Sequence, residues 1–105
     1  MQDLQFKRYR FNPEKDLQLL QMPDRLIGFV KIIEAIIKGD VLDVRTHPNK
    51  KKYPNQYIIY VHIEEKVYAV PCVEEGEDGL FLKTIYPSSK MRDEFFPDYK
   101  KGNKS

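Results

Sequence analysis

The chain has 105 residues, 41% hydrophobic and 32% charged, with a formal net charge of +2. That is enough for one compact domain and not two, with the composition of a globular protein and too little charge to point to a nucleic-acid partner by itself. No run approaches the ~18 apolar residues of a membrane span, so no membrane partner is expected.

The first residues, MQDLQFKRYRF, lack the apolar stretch of a signal peptide. Cys72 is the single cysteine, so no intramolecular disulfide can form, and a reducing, cytoplasmic setting is expected. With only His47 and His62 beside it, a dedicated zinc site is improbable, and no metal or cofactor is expected.

In chain order, Gln5 to Phe11 alternates loosely, with aromatics at Phe6, Tyr9 and Phe11, and reads as a short strand. Asn12-Pro13-Glu14 opens a helix: Asn12 can cap, Pro13 suits the first helical position and Glu14 complements the dipole. It should run to about Gln21, where Met22-Pro23-Asp24 breaks it. The second helix carries Leu26, Phe29, Val30, Ile33, Ile36 and Ile37 at spacings of three and four, with Lys31, Glu34 and Lys38 opposite. That stripe should face a sheet, and Gly39 can close the helix in a left-handed conformation.

Strands follow. VLDVR, from Val41 to Arg45, leads into the loop THPNKKKYPN, which should be exposed and mobile. QYIIYVHI puts Tyr57, Ile59, Val61 and Ile63 on one face and Ile58, Tyr60 and His62 on the other. Glu65-Lys66 marks a turn. VYAVPCV holds Pro71 in mid-strand, which implies an edge or a bulge. EEGEDG turns again, with Gly76 and Gly79 expected at positive φ. GLFLKTIY is the last strand, and Ser88 can cap a closing helix carrying Met91 and Phe95.

The order β-α-α-β-β-β-β-α indicates an α+β domain over residues 1–96. An antiparallel meander would carry the two N-terminal helices on one face, with a short C-terminal helix and a fraying polar tail over 97–105.

No Gly-rich phosphate loop, nucleophile elbow or HExxH is present. Cys72, in an apolar strand, reads as a small buried hydrophobe. The candidates for chemistry are Lys83, Lys90, Arg92, Tyr86, His62 and His47. Lys83 interrupts the apolar FLKTI run and should share a face with Phe81 and Ile85, so it must snorkel, form an ion pair or meet a ligand. Lys90 and Arg92 fall in the first turn of the closing helix, where cations are unfavourable unless an anion offsets them. Strand end, Ser88 cap and these cations read together as a phosphate seat converging with Lys83.

Residues of about 39 to 91 resemble the BrnT-like toxins of bacterial toxin–antitoxin pairs, and more distantly the RelE-like ribonucleases. The strings that carry the resemblance are GDVLDV at 39–44, HPN at 47–49, YPNQ, and YAVPCVEEGEDGLFLKTIYPSSK at 68–90. FLKTI-x-PS-x-K is the distinctive part. FNPEKD and the helices after it match the family layout only loosely.

The resemblance implies a metal-independent ribonuclease, acting on free or ribosome-associated RNA and held inactive by a cognate antitoxin protein. A basic and aromatic cluster on a sheet face would position the phosphate and assist attack by the ribose 2′-hydroxyl. Lys83 and Lys90 fall on family lysines. Ser89 falls where many relatives have arginine, and serine cannot hold a phosphate bidentately. Two readings follow. One is a toxin-like ribonuclease using Lys83, Lys90 and Arg92 on phosphate, with His62, His47 or Tyr86 carrying protons. The other, favoured by Ser89 and the low net charge, is a non-catalytic protein- or RNA-binding module on the same fold.

Overall fold

The computed structural model describes residues 8–23 and 27–97. Strand β1 (Arg8–Phe11) is followed by helices α1 (Pro13–Gln21) and α2 (Phe29–Lys38). Strands β2 (Val41–Thr46), β3 (Gln56–Ile63), β4 (Lys66–Glu75), β5 (Gly79–Leu82) and β6 (Tyr86–Pro87) come next, and α3 (Ser89–Phe95) closes the series. The fold is α+β: two N-terminal helices, a mixed and mostly antiparallel six-stranded sheet, and a short C-terminal helix.

Local chemistry explains the ends of these elements. The Asn12 side chain accepts from the amides of Glu14 and Lys15, with Pro13 in the first turn. Gly28, before α2, offers no capping side chain, and α1 supplies one: Asp16 Oδ1 accepts from the Phe29 amide at 2.7 Å. Gly39 ends α2 at φ 91°, where a Cβ would be strained.

Strands β2 to β5 form the expected antiparallel meander, ordered β5-β4-β3-β2 across the sheet. Two features depart from the sequence reading. Strand β1 joins the far edge and runs parallel to β5, with Arg10 opposite Phe81, so the sheet is mixed. The expected single strand GLFLKTIY is split in two. Leu82 pairs with Cys72 and Tyr86 with Ala69, which leaves three residues on one side for two on the other, a β-bulge. Pro71 lies at that point, and its carbonyl accepts from the Lys83 amide at 2.8 Å. Proline brings no N–H to that side of the ladder, so the partner strand has nothing to pair with and shifts by one residue.

The bulge changes which side chains share a face. Phe81 and Lys83 point one way, but Ile85 turns to the other and is fully buried, so the expected grouping of Lys83 with Ile85 does not hold. Tyr86 returns to the Lys83 side, beside Ala69 and Tyr60.

One face of the sheet packs under α1 and α2. Ile59, Val61, Tyr68, Val70, Cys72, Leu80, Leu82 and Ile85 bury there with Leu19, Phe29 and Ile32. The inward face of α2 is Phe29, Ile32, Ala35 and Ile36, a rotation of the expected stripe. Val30 and Ile37 are instead 58% and 71% exposed, and Ile33 is half-buried. The apolar arc of FVKIIEAIIK is wide, running from Ala35 round to Val30 with Lys31, Glu34 and Lys38 opposite, so two overlapping stripes fit its spacing and the sheet selects the one containing Ala35. Leu26 and Gln5–Lys7 lie outside the described residues, as does the tail from residue 98.

Among the described residues the opposite face is covered at one end only. There α3 seats Met91, Phe95 and Phe96 against Tyr60, Val67 and Ala69. Two turn expectations also change. The β3–β4 turn is Glu64–Glu65, with Glu64 at φ 57°. Gly76 has the expected positive φ (68°), but Gly79 does not; a Cβ at Gly79 would lie 2.4 Å from the Glu75 carbonyl oxygen.

Candidate nucleic-acid interface

Strand alternation places Arg8, Arg10, Gly79, Phe81, Lys83, Pro71, Val73, Glu75, Gln56, Ile58 and Arg45 on the face that α3 leaves partly open. Its floor is half-buried: Phe81, Val73, Pro71 and Ile58. Cations stand around that floor. The Arg10 guanidinium lies 5.9 Å from the centre of the Phe81 ring, and its Nη1 reaches both Glu75 carboxylate oxygens at 3.2 Å. Lys83 is exposed and its Nζ donates to the Gln56 amide oxygen at 3.4 Å, with no salt bridge among the described residues.

Arg45 is held more firmly. Its Nε donates to Asp43 at 2.8 Å and its Nη2 to Glu94 at 2.7 Å. It also lies 5.5 Å over Tyr60 and 6.0 Å over Phe95. The hydrogen bonds to Asp43 and then Glu94 raise the guanidinium pKa further above its already high value. Arg45 thus fastens α3 to β2. The second Asp43 oxygen accepts from the Val44 amide at 2.9 Å, which occupies a backbone donor of the edge strand.

The other sequence-derived candidates are dispersed. Tyr86 is exposed on the same face as Lys83. Lys90 is exposed in the first turn of α3, whose cap is Ser88 Oγ accepting from the Met91 amide at 3.3 Å. Arg92 is half-buried and lines a small hollow of about 100 Å³ with Lys66, Val67, Pro87, Ser88 and Ser89. His62 packs tilted against Phe96, ring centres 4.6 Å apart, and borders a groove of about 370 Å³ with Lys31 and Lys38 of α2 and Asp40 beyond it. His47 lies in the β2–β3 loop, its Nδ1 accepting from the Asn49 amide at 3.0 Å and its ring 4.4 Å from Tyr53.

The expected convergence of Lys83 with the opening amides of α3 is not what the chain does. Lys83 N bonds to the carbonyl of Pro71 and Ser88 N to that of Val67, four residues away along β4. The Lys83 side chain moreover turns away from α3, to Gln56 opposite Val73, six residues along β4 from Val67 and so roughly 20 Å away at strand rise. No hydrogen bond links any two of Lys83, Tyr86, Lys90, His47 and His62.

Arg8, Arg10, Gln56 and Glu75 are not among the sequence candidates for chemistry, and Phe81 enters only as a face-mate of Lys83. The Phe81/Lys83 alternation was visible, but the parallel β1–β5 pairing that adds two arginines beside it joins segments about seventy residues apart and leaves no local trace. Cys72 is as expected: 1% exposed, its thiol pushed up to about 12 by burial and then by Glu74. The Tyr57 hydroxyl donates to Glu74 at 2.6 Å, and this bond, with burial, raises its pKa.

Among the described residues no helix is long and apolar enough to cross a membrane, and no group of three or more His, Cys, Asp or Glu side chains is placed to hold a metal. No family model, curated protein or solved structure matches the chain.

Proposed function

We propose that the open half of the α3-side sheet face binds single-stranded RNA, in a toxin-like cytoplasmic protein of the BrnT type, as a binding module first and a ribonuclease second. The observation that carries the reading is the joining of Arg10, Phe81, Lys83 and Gln56 on one uncovered surface. Cations beside an aromatic and apolar floor suit a strand whose phosphates meet the charges and whose bases lie on the floor. Duplex RNA presents its bases stacked away from such a floor and should bind less well.

Binding is favoured over cleavage by the dispersal of the proton carriers. His62 leans on Phe96 at the α3 end, and His47 on Tyr53; the His47 amide bonds to the Gln56 carbonyl at 3.0 Å, so His47 alone borders the Lys83–Gln56 pair, and neither ring pairs with a cation or a second base among the described residues. The ribonuclease reading keeps one supporting observation: Lys83 and Tyr86 share this face on either side of the bulge, with Lys90 just beyond. An antitoxin-type protein that covers the face would compete with RNA for it.

The test is anisotropy of a short labelled single-stranded RNA over a salt series. Affinity should fall as salt rises, and Lys83→Ala should weaken binding about 3- to 10-fold at low salt and reduce the salt slope by about 1. Binding indifferent to salt and to Lys83 would remove the reading. Incubating end-labelled RNA with wild type, Lys83→Ala and Lys90→Ala decides the enzymatic question. Cleavage lost in both variants would restore the ribonuclease reading.

A further inference from the structure

We infer that the groove between β1 and the β4–β5 turn is a second phosphate seat of the same face, held in the free protein by the Glu75 and Asp78 carboxylates in place of a phosphate. The inference rests on the RNA reading above and adds residues and a competitor to it.

The groove measures about 610 Å³ and is lined by Arg8, Tyr9, Arg10, Glu75, Gly76 and Gly79. Two guanidinium groups from one edge strand border it. Each is matched by a carboxylate of the turn: Arg10 Nη1 with Glu75 at 3.2 Å, and Arg8 Nη2 with Asp78 Oδ1 at 3.2 Å. A carboxylate offers two oxygens sharing one negative charge, as a phosphodiester does, and the arginine fork accepts either.

Both pairs are open to water, with the Arg8 and Arg10 side chains 68% and 69% exposed, so each is weakly held and exchangeable. Gly76 and Gly79 flank the Arg8 guanidinium closely: a Cβ at either would stand in ordinary contact with Nη2, at 3.4 or 3.5 Å. Phe81, beneath Arg10, offers a ring for the base next to the captured phosphate. Lys83 follows two residues along, roughly 7 Å away, so one strand can meet both seats.

Removing the competitor should therefore strengthen binding. Glu75→Gln keeps the shape and deletes the charge. It should bind labelled single-stranded RNA about 3- to 10-fold tighter at low salt, with the salt slope steeper by about 1. Glu77, exposed in the same turn and without an ion pair among the described residues, is the control for the general field; Glu77→Gln should change affinity less than about 2-fold. Adding Arg10→Gln to Glu75→Gln should abolish the gain.

A gain that is absent, equalled by Glu77→Gln, or retained without Arg10 overturns the inference. Wild-type binding that Glu75→Gln leaves unchanged sinks this inference alone. Failure of both proteins to bind RNA sinks the RNA reading and the inference with it. Thermal melts of each variant confirm folding.

Discussion

Cys72 and Gly79 show two ways in which one residue's chemistry is set by its surroundings. The Cys72 thiol lies under the helices, and its folded pKa of about 12 stands above the ordinary 9.0. A raised value means the neutral thiol stabilises the fold fully below about pH 9, and the contribution is lost as pH rises toward 12. The alkaline limb of unfolding should flatten in that window for Cys72→Ala. In the wild type a thiol reagent at pH 8 should react only at the rate of opening.

Gly79→Ala should cost about 2–4 kcal/mol, because the added carbon meets the Glu75 backbone at 2.4 Å and no side chain can yield; denaturant unfolding measures it. At this scale the sequence was informative where a residue's constraint is local. The Asn12 and Ser88 caps and the Gly39 and Gly76 conformations were legible. Gly79 was legible as special but for the wrong reason, since its obstacle is a backbone atom on the far side of a turn.

Among elements, the joints between neighbours matter more than the elements themselves. Helix α2 has no capping side chain of its own and borrows Asp16 from α1. Asp16→Ala should destabilise by about 1–2 kcal/mol, at the upper end for a cap because it also unties two helices. Helix α3 is short and depends on Arg45, which binds Glu94 and Asp43 and covers Tyr60 and Phe95. Arg45→Ala should loosen α3, seen as faster hydrogen exchange at Met91 to Phe96 with core amides unchanged.

Strand periodicity was readable for β3, whose inward and outward residues fall as alternation requires. The bulge was half-readable: Pro71 announced an irregularity, but its effect appears in the partner strand, at Lys83 to Ile85. The stripe of α2 was read in the wrong rotation because its apolar arc is wider than the face that buries, and only the sheet distinguishes Ile32 from Val30.

For the whole molecule, the two sides of the sheet have different fates. One is sealed by α1 and α2, and the other is covered by α3 at one end and, among the described residues, open at the other. The open half collects charge from β1 and from Lys83, just past β5, segments far apart in sequence. A net charge of +2 gave no hint of it, because Glu75, Asp78, Asp43 and Glu94 neutralise the arginines in place.

The most direct test of the central claim is a titration of isotope-labelled protein with a short single-stranded RNA, followed by amide and arginine side-chain NMR shifts. The account predicts that the changes concentrate at Arg10, Gln56, Phe81 and Lys83 and leave α1 and α2 still. Changes confined to the helices, or none at concentrations where RNA binds, would contradict it.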